Sequence, residues 1–323
     1  MAVRPFIHYL PSEFHLDFIG VRFYPMMISA IITIVALVSI MTKGFNLGID
    51  FAGGVLLETR SERVVNVEEL RNDFAGLNVG EVSITTASAD GRELMIRVQQ
   101  QEGGDQAQNE ALKKVQGALP SDVQVVRTEV VGPKVGAELM IDGALAVALA
   151  LIGIAVYVWL RFEWQFAIAA LLSLTHDVVA VLGLFSLLQL EFNLTVIAAV
   201  LAIAGYSVND TVVVFDRIRE LLRKYRKMPL PDLLNLASNQ VFARTLLTTA
   251  STFVATLALL VAGGDVLRPF SIAMTFGVLI GVYSTIYVAK PILIYTDLRR
   301  DEGAPAGAAP VPEYERAPKQ PAE

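Results

Sequence analysis

Asp210 stands inside an otherwise apolar run, residues 194–215. A run of that length can cross a bilayer, and a carboxylate at membrane depth is costly enough to mark either an ion or proton path or a buried packing network. Asn209 precedes it. Asp216 closes the run six residues on, which at the helical rise puts Asp210 roughly 9 Å inside the boundary. The next apolar stretch is entered through Arg244. On adjacent antiparallel helices Asp210 and Arg244 would reach similar depth. The positive charge would favour the ionised carboxylate and burial would oppose it. Those opposed influences suit a group that exchanges a proton as its partner moves. A static ion pair that fixes helix packing accounts for the same two residues. Thr245, Thr248, Thr249, Ser251 and Thr252 follow, where hydroxyls could line a polar path or bond their own helix backbone.

A second polar insertion is His176-Asp177, near the centre of the run 166–188. Imidazole titrates near neutral pH, so a proton relay is one reading and a helix-packing hydrogen bond is the other. Neighbours on a helix diverge by about 100°, so the two side chains are expected to find different partners. A third motif, Gly48-Ile-Asp-Phe-Ala-Gly-Gly54, places Asp50 and Phe51 among Gly48, Gly53 and Gly54. No Gly-Lys-Ser/Thr accompanies it, which argues against a phosphate loop. The glycines favour a packed junction between a membrane helix and an external sheet.

Other chemistry is thinly supported. The chain has no Cys, and its three His (His8, His15 and His176) lack metal-site spacing. There is no Gly-x-Ser-x-Gly elbow and no carboxylate pair suited to hydrolysis. No enzyme activity, cofactor or metal is expected.

These residues need elements to carry them. The chain has 323 residues, 54% hydrophobic and 18% charged. Its mean hydropathy of +0.53 is far from a soluble norm. Six candidate spans appear, at 23–41, 139–160, 166–188, 194–215, 246–262 and 270–289, each near the ~20 residues a bilayer requires. The residues before position 23 are too long and mixed for a signal peptide, so the first span is read as retained. If the spans alternate, Arg4, Arg22, Arg161, the cluster from Arg217 to Lys227, Lys290, Arg299 and Arg300 share one side. By the positive-inside rule that side, with both termini, is cytoplasmic.

The expected layout is a cytoplasmic segment at 1–22, a first helix at 23–41, an external domain at 42–138, a five-helix bundle at 139–295 and a disordered tail at 296–323. The external domain reads as strand, helix, strand, strand, helix, strand, the ferredoxin-like order, with a hairpin turn at 89–92. Between Gly44 and Gly132 it holds 14 acidic and 8 basic residues, which speaks against nucleic-acid binding. The basic loop 216–241 carries Ile218, Leu221, Leu222 and Tyr225 at helical spacing, and is expected to lie as a helix on the anionic inner leaflet.

The Gly48–Gly54 motif, Ala204-Gly-Tyr-Ser-Val-Asn-Asp-Thr-Val-Val-Val-Phe-Asp-Arg-Ile-Arg-Glu220 and Arg244-Thr-Leu-Leu-Thr-Thr249 together resemble the SecF branch of the SecD/SecF protein-export family. The resemblance runs from about residue 14 to about 301. It implies a relative of the RND transporters in the bacterial inner membrane, paired with SecD. It also implies assistance to the SecYEG channel and, indirectly, the SecA motor, with the proton-motive force used on an unfolded exported polypeptide. The family's functional membrane Asp and Arg would fall on Asp210 and Arg244, with Asn209 and Thr248 beside them. Two other classes remain: a proton-coupled small-molecule exporter of RND type, and a passive scaffold. The external domain, at about ninety residues, is small for the substrate cleft an exporter needs.

Overall fold

The computed structural model describes residues 14–86, 91–101, 103–296 and 298. The turn expected at 89–92 falls partly outside these, and the tail from 299 wholly so. Among the described residues, six helices are long and apolar enough to cross a membrane. The first, α1 (Phe23–Lys43), leads through β1 (Asn46–Leu47) and one helical turn, α2 (Ile49–Ala52), into an α+β unit. That unit comprises β2 (Gly54–Ser61), α3 (Val67–Ala75), β3 (Val82–Thr86), β4 (Glu93–Val98), α4 (Gly104–Gly117) and β5 (Val123–Val131).

Its sheet order is β3-β4-β2-β5, and every neighbouring pair is antiparallel. Alternation along the strands explains the single core. Val55 and Leu57 of β2 and Leu94, Ile96 and Val98 of β4 point to one face, where Leu70 and Phe74 of α3 and Ala111 and Val115 of α4 cover them. Asn66 caps α3 by accepting the Glu68 amide at 3.1 Å.

The chain returns through α5 (Pro133–Arg161), then α6 (Trp164–Leu188), β6 (Glu191–Phe192), α7 (Leu194–Lys224), α8 (Leu230–Ala262) and α9 (Gly264–Ser284). A π-helical turn, Thr285–Ala289, joins α9 to α10 (Lys290–Tyr295). The helices pack through small residues, as expected where lipid removes the hydrophobic drive between them. At Gly183 of α6 an added Cβ would lie 2.2 Å from Ala36 Cβ of α1. Nearby, Ser39 and Ser186 share a 2.9 Å hydroxyl bond.

One expectation is corrected. The residues 216–241 are not a separate helix lying on a leaflet. The helix α7 runs on to Lys224 and α8 already starts at Leu230. Ile218, Leu221, Leu233 and Leu234 are fully buried in a core shared with Phe166 and Leu293. Their spacing marks a face buried against protein, which at the level of periodicity looks the same as a face buried in lipid.

Candidate functional site

Asp210 is buried on α7, and its Oδ2 has no hydrogen-bond partner. The side chains that bear on it are Arg244 and Thr248 of α8. The Thr248 hydroxyl is engaged by carbonyls of its own helix, those of Arg244 at 3.1 Å and Thr245 at 3.0 Å. Asp210 and Arg244 act on each other by charge without closing into a contact ion pair. Arg244 and Asn209 are exposed on the outer surface of the bundle. A bond of 3.4 Å between Tyr206 and Thr249 links α7 to α8 one turn away. The structure thus gathers Asp210, Arg244 and Thr248 at the α7–α8 contact, with Asn209 turned outward. A carboxyl with one free oxygen, beside a cation it does not touch, can bind or lose a proton without first breaking a bidentate pair.

His176 and Asp177 were expected to diverge, yet both are buried and bond each other, Nδ1 to Oδ1 at 3.2 Å. Protein surrounds α6 on most sides, so each side chain finds neighbours whichever way it points. Asp177 Oδ2 accepts the hydroxyls of Ser207 at 2.7 Å and Ser284 at 2.8 Å. Ser173 donates to Ser284 at 3.0 Å, and Thr211 and Thr285 share a 2.9 Å bond beside them. His176 Nε2 has no partner, and its ring centroid lies 6.4 Å from that of Tyr283. Sequence reasoning missed these hydroxyls. The available signal was the recurrence of Ser and Thr inside apolar runs.

Lys290 was assigned to a helix end, yet it is almost wholly buried. Its Nζ donates to Ser238 Oγ at 2.8 Å and lies 5.3 Å from the Phe18 ring centroid. No carboxylate among the described residues forms an ion pair with it.

The glycine motif lies at the other end of the bundle. Gly48 N–H donates to Phe192 O at 2.8 Å, beside the parallel pairing of β1 with β6. Asp50 Oδ2 accepts the Leu194 amide at 2.8 Å, so its carboxylate meets the N-terminus of α7. Phe51 stacks on Phe192, with centroids 5.6 Å apart. Gly54 takes φ +122°, and a Cβ there would approach Val98 O to 2.5 Å, so glycine is required. Gly53, at φ +72°, turns the chain out of α2. Arg97 of β4 also pairs with Glu191 of β6.

Six apolar helices, charged groups buried among them and an α+β unit tied to one end define a multi-pass helical membrane protein. The family described as protein export membrane protein SecD/SecF, C-terminal, matches residues 110–299, and the SecD/SecF GG motif matches residues 38–63. Protein translocase subunit SecF of Cereibacter sphaeroides is 43% identical over 91% of this chain and 93% of its own. Protein translocase subunit SecDF of Brucella abortus is 39% identical over 91% of this chain and 39% of its own. The crystal structure of SecDF, a translocon-associated membrane protein from Thermus thermophilus, superposes with a TM-score of 0.80 at 35% identity, over 92% of this chain and 40% of that one. The chain belongs to the SecD/SecF family. It spans about two-fifths of the SecDF proteins it matches and nearly all of the SecF.

Proposed function

We propose that this chain is an accessory subunit of the Sec protein-export translocase, working with a SecD half and using the proton-motive force in late steps of translocation. Kinship supports the subunit assignment, since the SecF relative is matched over 93% of its length and the SecDF relatives carry a further length beyond the part matched. The observation that carries the coupling is Asp210, buried with a free oxygen and within reach of the Arg244 charge.

In this reading the protein sits in the bacterial inner membrane. The Arg-rich helix ends and both termini are cytoplasmic, and the ferredoxin-like unit is periplasmic, where it meets an unfolded polypeptide leaving the SecYEG channel after SecA has driven it in. Proton loss at Asp210 strengthens its attraction to Arg244, and proton gain releases it. The resulting change in α7–α8 packing reaches the sheet because Asp50 holds the N-terminus of α7 and Gly48 holds Phe192 just before it. Moving one charge through 100 mV supplies ~2.3 kcal/mol, a bias of roughly fiftyfold on a two-state equilibrium. His176 and Asp177 belong to the polar core beside this site. The exporter alternative lacks such support, because the small sheet unit packs around its own apolar core.

The test is export of a secreted reporter in inner-membrane vesicles with and without a proton gradient. Asp210→Asn should lose the gradient-dependent component while insertion and partner association persist. Full gradient dependence in that variant would sink the proton-coupling role.

A further inference from the structure

Beyond Thr248, which reaches it from α8, little holds the direction of Asp210: its Oδ2 is free and no contact ion pair closes on the group. Something else must set the rotation of α7. We infer that Asp177 is a positioning residue for the proton-coupling carboxylate, acting through the Ser207 hydroxyl. This rests on the reading of Asp210 given above.

Asp177 has no exposed surface. One oxygen binds Ser207 of α7 at 2.7 Å and Ser284, the last residue of α9, at 2.8 Å. One turn further along α7, Thr211 bonds Thr285, the first residue of the π-turn, at 2.9 Å. Ser207 and Thr211 lie four residues apart, hence on one face, and Asp210 sits about 60° round the helix from Ser207. The helix is therefore clasped at two points one turn apart, and the carboxylate lies between them in the chain.

The backbones leave no slack. A Cβ on Gly281 would meet Ser207 Cβ at 3.2 Å, and one on Gly277 would meet Ile203 Cδ1 at 2.3 Å. Both clasps end on neighbouring residues, 284 and 285, at the entry to a π-turn. Such turns are rare and occur often at functional sites. Rotating α7 requires breaking one clasp, so the clasps decide how squarely Asp210 faces α8. The titratable group in contact with Asp177 is His176 on α6, whose ring neighbours Tyr283 on α9, while Arg244 acts on Asp210 from α8.

The experiment uses the full chain with its SecD partner in inner-membrane vesicles and reads gradient-dependent export against pH. Asp177→Ala should insert and associate normally, lose the gradient-dependent component by about tenfold or more, and move the pH profile. Asp177→Asn keeps an oxygen for both serines and should stay within about twofold of native. Native export and an unmoved profile in Asp177→Ala overturn the inference. So does an Asp177→Asn as impaired as Asp210→Asn, since Asp177 would then itself carry the proton. If Asp177→Ala fails to accumulate, the double variant Ser207→Ala/Thr211→Val carries the same expectations and the same overturning result. Asp210→Asn, run alongside, separates the two readings. If it keeps full gradient dependence, the coupling role falls. If it alone loses that dependence, only the positioning role falls.

Discussion

Asp50 and Lys290 show how differently one charge can be accommodated. The Asp50 carboxylate accepts the Leu194 amide at the start of α7, where unpaired amides and the helix dipole welcome it. Asp50→Ala should therefore lower the unfolding free energy by about 1 kcal/mol, the usual worth of an N-terminal cap, measured by denaturant melts of the purified chain in detergent. Among the described residues, Lys290 has the Ser238 hydroxyl and the Phe18 ring. A buried cation with so little compensation adds nothing to stability. Lys290→Met should be neutral or stabilising in the same melts. Ser238→Ala, which strands the ammonium, should cost roughly 1–3 kcal/mol. Asp210 was legible in the sequence because one carboxylate in an apolar run stands out. The partners of Asp177 were not, because Ser207 and Ser284 lie 30 and 107 positions away along the chain and a lone serine in an apolar helix carries no signal of what it bonds.

At the scale of elements, hydropathy alone marked all six spans, since the bilayer imposes a length that few soluble helices share. Their ends were less readable. The helix α8 begins sixteen residues before the run expected to hold it, at Leu230 rather than 246, because its first turns are amphipathic and buried against protein. What no hydropathy plot reveals is which helices touch. The contact of α1 with α6 depends on Gly183 against Ala36 and on the bond between Ser39 and Ser186. With no native Cys in the chain, Ser39→Cys/Ser186→Cys should form a disulfide on mild oxidation, read as a reduction-sensitive mobility shift. Adding Gly183→Val would place a Cβ 2.2 Å from Ala36 Cβ and force the helices apart. That triple variant should cross-link poorly. Undiminished cross-linking would mean that α1 is not held by this contact.

For the whole molecule, the arrangement puts its proton-binding candidate midway along α7 and its α+β unit at the N-terminal end of that helix. Motion of the bundle can reach the unit through the chain itself, where β5 leads straight into α5, and through the fastenings where the two meet. Among those fastenings are the pairing of β1 with β6, Asp50 on the Leu194 amide, and Arg97 with Glu191. The last ties the sheet itself, through β4, to the turn between α6 and α7. Both of its side chains are partly exposed, at 25% and 29%, so the pair is worth roughly 0.5–1 kcal/mol after screening. That is small beside the whole fold and below the ~2.3 kcal/mol that one charge crossing 100 mV supplies, so the pair can be broken and remade within that bias. Arg97→Ala and Glu191→Ala should each leave melting nearly unchanged yet weaken gradient-dependent export. The exchange Arg97→Glu/Glu191→Arg should restore export at low salt, with the benefit falling as ionic strength rises. A double-mutant cycle measures the coupling directly. Additive losses with no recovery on exchange would show that force does not pass through this pair, leaving the other junction contacts and the run of β5 into α5 as the route.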